Sequence, residues 1–180
     1  NAQQTLYRAD TDVILRGTDQ ATLTTADTAL FVVNPGALNY MTISGEPASV
    51  QASVQFPGGN DLIVTVYDTF DNQKTNYTGT IEFTTSDPNA FSSVILNTVD
   101  ISLIQSLYTF IPADNGQHTF ASTGFILETF GPQTITVTDI VAPAATATTN
   151  NINVTAAPIA SFTMTVPLLL WMLVYLSTFI

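Results

Sequence analysis

Two stretches decide the fold of this chain: residues 66–86, VYDTFDNQKTNYTGTIEFTTS, and residues 108–120, YTFIPADNGQHTF. Each joins a run of β-branched and aromatic residues to a turn that is rich in Asp, Asn and Gly. The first residue types pack well on a pleated surface, and the second favour tight turns. Neither stretch carries a recognisable catalytic motif. Together they predict an all-β module that provides a surface rather than a reaction.

Strand-like runs and turn signals recur from residue 37 to about residue 155 at the spacing expected of a β-sandwich. Leu62, Val64 and Val66 share one face by the two-residue period of a strand, and Ile135 and Val137 repeat the pattern. Residues 91–106 are apolar but irregular, which predicts an extra strand or a short helix. The predicted strands cover residues 12–16, 28–33, 39–44, 49–56, 61–68, 79–85, 107–111, 116–122, 131–139 and 146–154.

The composition excludes several classes of function. Only 9% of the 180 residues are charged, and 3 basic against 14 acidic residues give a formal net charge of −11. Binding to nucleic acid requires Lys and Arg to neutralise phosphates, so no nucleic-acid partner is expected. The chain has no cysteine, which excludes disulfides, Cys-ligated metal sites and thiol catalysis.

The two ends of the chain differ from its middle. The chain starts at Asn1 without a signal-peptide pattern, which predicts a processed N-terminus or a fragment. Residues 156–180 carry no charge and are long enough for a helix that crosses a bilayer, with Pro167 as a kink or first turn. We expect this helix to lie in lipid, with residues 160–180 as a membrane anchor, or in the core of an assembly. A removable anchor signal is a third reading.

Several motifs of residues 35–154 occur in a fixed order. They are Asp68 with Phe70-Asp71-Asn72, Tyr77-Thr78-Gly79-Thr80, Thr85-Ser86-Asp87-Pro88, Tyr108-Thr109-Phe110, Ala113-Asp114-Asn115-Gly116, His118-Thr119-Phe120 and the strand 134–139. In this order the segment resembles the bacterial-type immunoglobulin-like repeats of large surface and adhesin-like proteins. Two features depart from such repeats: residues 91–106 form a longer insert, and Asp71 stands where a glycine is usual. The resemblance implies an immunoglobulin-like β-sandwich that serves as a spacer or binding module, without catalysis.

The resemblance divides the chain into N-terminal strands (1–35), an immunoglobulin-like sandwich (36–155) and a C-terminal hydrophobic helix (156–180). The residues before the sandwich are too few to form a second one. A lone strand would leave backbone groups unpaired, and adding it to the sheet of a neighbour would pair them. This reasoning predicts that the partners are copies of the same chain, joined through the N-terminal strands and the C-terminal helix.

Acidic turn residues suggest one metal site. Calcium binds six to eight oxygen ligands, so Asp68, Asp71 and Asp114 are candidate calcium ligands. Asp87 and Asp139 also lie near strand ends. The alternative is that Asp is simply a good turn former. His118, the only histidine, lies in a predicted strand and is expected to be structural.

Two Asn-X-Thr sequons make Asn76 and Asn153 candidate glycosylation sites in a secreted protein. The first hypothesis for function is a non-enzymatic, extracellular structural protein: a subunit of a filament, pilus or surface layer, or a membrane-anchored surface protein. The second is an adhesin domain that binds carbohydrate or protein through exposed aromatic side chains. The candidates for these are Tyr40, Tyr67, Tyr77 and Phe91. An enzyme is the third and least favoured hypothesis, because no acid–base pair or nucleophile set can be named.

Overall fold

The computed structural model of the protein describes residues 3–92 and 106–157, which form an all-β structure. Within these ranges the helical elements are two single turns of 3-10 helix, Pro112–Asp114 and Ser122–Gly124. The predicted extra element at residues 91–106 lies mostly outside the described residues. The predicted C-terminal helix, 156–180, lies outside them from residue 158 onward.

Seventeen short strands occur in the described residues. Those of the N-terminal part are β1 Asp10–Val13, β2 Arg16–Thr18, β3 Thr25–Asp27 and β4 Phe31–Val33. Those of the body are β5 Leu38–Ser44, β6 Ser49–Gln51, β7 Val54–Gln55, β8 Leu62–Asp68, β9 Thr80–Thr85, β10 Phe91–Ser92, β11 Ser106–Thr109, β12 Gln117–Phe120, β13 Phe125–Leu127, β14 Gly131–Gln133, β15 Ile135–Asp139, β16 Thr146–Thr148 and β17 Ile152–Thr155.

The N-terminal strands form a ribbon, here called the N-terminal ribbon (residues 10–33), in which they pair with one another. β1 pairs antiparallel with β4, and β2 pairs antiparallel with β3. Arg16 forms two 2.7 Å hydrogen bonds with the carboxylate of Asp27 across the second pair. None of residues 3–33 is buried. The strands of each pair thus bond to each other, and the outer edge of each strand has no strand partner among the described residues.

Four small sheets make up the body. Their strand orders are β12-β8-β5, β11-β9-β15-β16, β14-β17-β6 and β10-β13-β7. All these pairs are antiparallel except β6 with β17, which is parallel. β8 is the central strand of its sheet and continues the register with β5 over almost its whole length.

A single apolar core joins the sheets. The predicted inward positions Leu62, Val64 and Val66 are fully buried, which confirms the two-residue period of this strand. Phe83 on β9 meets Phe120 on β12 edge to face, with ring centroids 4.8 Å apart. This contact places the second sheet against the first. Burying one such large apolar side chain contributes about 1.5–3 kcal/mol.

Four of the predicted strands are wrong as single elements. Residues 12–16 span the end of β1 and the start of β2, which belong to different sheets. Residues 49–56 divide into β6 and β7 because Ser53 has a positive φ of 64°, which an extended strand does not allow. Residues 131–139 and 146–154 each divide between two sheets. The chain leaves one sheet at Thr134 and enters the other, and it does so again at residues 149–151. β-Propensity favours strand throughout these runs and does not register a change of partner.

Candidate functional site

Asp68 ends β8 and is almost completely buried, with 1% of its surface exposed. Its carboxylate accepts hydrogen bonds from the backbone N–H groups of Gly36 at 2.7 Å, Phe70 at 2.8 Å and Asn72 at 3.0 Å. The side-chain amide of Asn72 donates as well, at 2.9 Å. Burial alone would raise the pKa of Asp68, but the donated hydrogen bonds, those of Asn72 first, lower it to about 2. Asp68 thus fixes the turn after β8 and the entry to β5 at the same time.

Asp71 lies in the turn after β8, at the position where the resemblance led us to expect a glycine. Its φ of 61° lies in the left-handed region, which Asp and Asn enter more readily than most residues. Its Oδ1 accepts a hydrogen bond from the hydroxyl of Tyr40 at 3.0 Å. An aspartate at this position therefore allows the turn to use a positive φ.

Asp87 is buried between two connections that lie far apart in sequence. One oxygen accepts from the backbone N–H groups of Glu128 at 2.6 Å and Thr129 at 2.9 Å. The other accepts from the N–H of Asn89 at 2.9 Å and the hydroxyl of Thr129 at 2.6 Å. Burial would raise the pKa of Asp87, but these four donors outweigh it and hold the pKa below its ordinary value. The carboxylate joins the β9–β10 turn to the β13–β14 turn.

Asp139 is a third buried carboxylate with the same function. It accepts from the N–H groups of Val141 at 2.8 Å and Ala142 at 2.6 Å, and from the hydroxyl of Tyr77. Tyr77 is 5% exposed, and burial followed by this hydrogen bond raises the pKa of its phenol. A β-carbon on Gly79 would lie 2.6 Å from the Tyr77 ring. The Tyr77 ring therefore passes over Gly79 to reach Asp139, and only glycine leaves enough space at position 79.

Asp114 belongs to a cluster with Tyr108 and His118. Asp114 Oδ2 accepts from the Tyr108 hydroxyl at 2.9 Å and from the N–H of Ile111 at 2.8 Å. His118 Nδ1 lies 2.8 Å from Asp114 Oδ1 and 2.7 Å from the Tyr108 hydroxyl. Burial would raise the pKa of Asp114, but the bond from Ile111, followed by those from the other two groups, lowers it. His118 lies on β12, and the centroid of its ring is 4.1 Å from the centroid of the Tyr108 ring.

These contacts bear on the predicted calcium ligands. The structure brings Asp68 and Asp71 into one turn and commits Asp114 to the separate cluster with His118. Among the described residues, no group of three or more acidic or histidine side chains is arranged to hold a metal ion. Calcium binding stays a prediction, and a calcium ion would compete with the four donor groups that already bond the oxygens of Asp68.

The aromatic candidates fall into three groups. Tyr40 and Tyr67 are opposite each other on β5 and β8, and their half-buried rings stack with centroids 5.0 Å apart. Tyr77 is buried, so its prediction as an exposed aromatic is wrong: its ring belongs to the core, and its hydroxyl bonds Asp139. Phe91 lies on β10, and its side chain lies outside the described part of the structure.

Two residues that the sequence did not single out, Tyr7 and Ala9, complete this region. Asn72 donates to the carbonyl of Tyr7 at 2.7 Å and accepts from the N–H of Ala9 at 2.9 Å, as a strand neighbour would. Phe70 lies against Tyr7 with ring centroids 4.6 Å apart. The composition of residues 68–72 predicted a turn. It did not predict that this turn would bind the backbone of the segment around Tyr7 and Ala9.

Both predicted glycosylation sites are accessible. Asn76 is exposed between β8 and β9, where its Oδ1 accepts from Lys74 Nζ at 3.0 Å. Asn153 is exposed on β17 between buried neighbours. Modification at either asparagine stays a prediction.

No helix among the described residues is long and apolar enough to span a membrane. A comparison with models of known protein families found no match to this chain, and a search of curated proteins found no match either. The physical arrangement of the side chains therefore carries the functional argument.

Proposed function

We propose that this protein is a non-enzymatic, extracellular structural protein: a subunit of a surface filament or layer, or a membrane-anchored surface protein. The observation that carries the proposal is the N-terminal ribbon, which has no buried residue and extends from a body with a complete apolar core. A two-stranded ribbon is marginally stable alone in water, and a third strand or a covering surface would stabilise it.

The body is proposed to be an immunoglobulin-like β-sandwich of the bacterial repeat type. Its motif residues contact one another across the fold, which supports this assignment. Tyr77 of the YTGT motif bonds Asp139 at the end of the 134–139 strand, and Tyr108 of the YTF motif packs on His118. Sheets that pack over one core, with strands that change from one sheet to another, are features of sandwich folds.

Assembly is proposed to use the outer edges of the N-terminal ribbon. Exposed edges present unpaired N–H and C=O groups to another chain, and strand addition satisfies them. Leu23 and Leu30 of the ribbon are 76% and 62% exposed, and Val32 is 55% exposed. Burying such side chains against a second copy would contribute about 25 cal/mol per Å² of apolar area. The apolar residues 156–180 would provide a second contact or an anchor.

The test compares the assembly of the full chain with that of two valine-to-lysine variants. Light scattering behind size-exclusion chromatography, and negative-stain microscopy after detergent removal, would report the particles. We expect ordered oligomers from the wild type, loss of these in Val32→Lys, and no effect in Val141→Lys, an exposed valine of the body. A wild type that stays monomeric at all concentrations, or equal assembly by the three proteins, would contradict the proposed role of the ribbon.

A second candidate function, a binding domain of an adhesin, is favoured by one observation. Exposed aromatic side chains surround the turn after β8. Glycan-array binding by a detergent-solubilised monomer would favour this function over a purely structural one.

A further inference from the structure

Four aromatic side chains surround one turn at the end of β8. They are named here the aromatic patch: Tyr7, Tyr40, Tyr67 and Phe70. Tyr7 and Phe70 are 55% and 53% exposed, while the stacked pair Tyr40 and Tyr67 is half-buried. Three of the six tyrosines of the chain thus meet at a single surface region.

The rings of the patch are held in place by neighbouring groups. Tyr40 and Tyr67 are nearly parallel, with 12° between their planes, and the hydroxyl of Tyr40 donates to Asp71. Tyr7 is positioned by Asn72, which bonds its carbonyl. A ligand would therefore meet rings that already pack against each other in pairs, and less entropy is lost on binding to a preorganised surface.

Polar atoms that have no hydrogen-bond partner among the described residues lie on residues of this turn and on Tyr67. Gln73 pairs with Tyr67 through an isolated β-bridge, and its side-chain Nε2 donates a hydrogen bond to the carbonyl of Asn115. The Oε1 of Gln73 accepts no hydrogen bond within the described residues. Among the same residues, the Tyr67 hydroxyl makes no hydrogen bond, and Asp71 accepts only on Oδ1. The patch thus combines ring faces with open hydroxyl, amide and carboxylate groups.

The area of the patch fits a small ligand better than a protein. An aromatic side chain covers about 200 Å², so the exposed fractions sum to roughly 300 Å². A stable protein interface buries about 800 Å² on each partner. Sugar rings satisfy both parts of the patch, because their C–H faces pack on the negative faces of aromatic rings and their hydroxyls donate to open acceptors.

We propose that the aromatic patch binds an uncharged polysaccharide, whose sugar rings lie on Tyr67 and Phe70 and whose hydroxyls bond Gln73 and Asp71. This inference rests on the second candidate function, the binding domain, and is independent of assembly through the N-terminal ribbon. A shallow surface of this kind gives weak binding to each sugar and gains strength along a polymer.

Affinity electrophoresis of the full chain tests the proposal, because the net charge of −11 drives the protein through a native gel. Gels would contain mixed-linkage β-glucan, xylan, galactomannan or dextran, with a polyoxyethylene detergent that has no sugar headgroup. We expect at least one polysaccharide to retard the wild type. Phe70→Ala should weaken the apparent affinity by about threefold to tenfold, the value of one aromatic stack.

Phe130→Ala is the matched control, since Phe130 is 73% exposed and lies outside the patch. It should leave retardation unchanged. A second test is Tyr67→Phe, which removes only the open hydroxyl and preserves the ring. Thermal melting would verify that each variant folds. The proposal is overturned if no polysaccharide retards the wild type, if both phenylalanine variants behave alike, or if Phe70→Ala alters only self-association. The last result would identify the patch as a contact between proteins, and the ribbon variants would report on assembly separately.

Discussion

Replacing Asp87 with Asn should destabilise the fold more than any surface change of similar size. The carboxylate is 2% exposed, and its two oxygens accept four hydrogen bonds. An Asn side chain offers one oxygen, so its NH₂ group must face donors on the other side. The Thr129 hydroxyl can rotate to accept a bond, but a backbone N–H cannot. At least one backbone N–H next to this buried side chain is then left without its acceptor.

The magnitude follows from this count. An unsatisfied buried donor costs about 1–3 kcal/mol. A neutral oxygen in place of a charged one weakens the remaining bonds and adds roughly 1–2 kcal/mol. The expected loss in the free energy of unfolding is about 3 kcal/mol, a large part of the 5–15 kcal/mol available to a typical domain. For a chain of this size it corresponds to a fall in Tm of about 6–12 °C.

Urea unfolding followed by far-ultraviolet circular dichroism would measure this difference at pH 7 and at lower pH. The folded pKa of Asp87 lies below its ordinary value of 3.8, so its contribution is complete above that value and is lost as the pH falls through the folded pKa. The difference between wild type and Asp87→Asn should therefore shrink toward pH 2. Asp12→Asn, at an exposed position of the N-terminal ribbon, should change stability by less than about 0.5 kcal/mol. A loss below about 0.5 kcal/mol at pH 7 for Asp87→Asn would refute the reasoning.

Three further outcomes are expected. Gly79→Ala should cost about 1–3 kcal/mol because the new methyl group meets the Tyr77 ring, and the cost should nearly vanish in a Tyr77→Ala background, as measured by a double-mutant cycle in urea. Asn72→Ala should release the segment around Arg8, so that trypsin cleaves after Arg8 several times faster while cleavage after Arg16 is unchanged; equal rates in both proteins would disprove the clamp. Millimolar calcium should leave Tm unchanged, since the oxygens of Asp68 are engaged, and a clear rise in Tm would restore the predicted calcium site.

The sequence predicted those elements whose signal is local. The alternation of Leu62, Val64 and Val66 identified the central strand of one sheet, and β9 begins within one residue of its predicted start. Both segments lie between strong turn signals and remain in a single sheet. Where the chain changes sheets, as at Thr134, the residue types still favour strand, so composition did not reveal the break. The short strand β13 was missed because Phe125–Leu127 offers only three residues of pattern.

The candidate site was less predictable because its contacts join residues far apart in sequence. Asp87 was recognised as a turn residue, but nothing near it shows that Thr129, 42 positions away, supplies its donors. Tyr77 was named among the candidate exposed aromatic residues, but it is buried and its partner Asp139 lies 62 positions away. Long-range pairing of this kind is a property of the folded chain rather than of any short window.

The three buried carboxylates explain how a chain with no cysteine and few charges can fix its connections. Asp68, Asp87 and Asp139 each lie at a strand end and bind backbone N–H groups of a turn. Charge-assisted bonds of this type are stronger than neutral ones, and each also removes buried donors that would otherwise be unsatisfied. The turn after β8 shows the consequence for function. Because Asp68 fixes its backbone from within, its outer side chains, Phe70 and Asn72, are free to hold the N-terminal segment and to present an aromatic surface. In this turn, the buried carboxylate of Asp68 thus holds the backbone from which the exposed side chain of Phe70 extends.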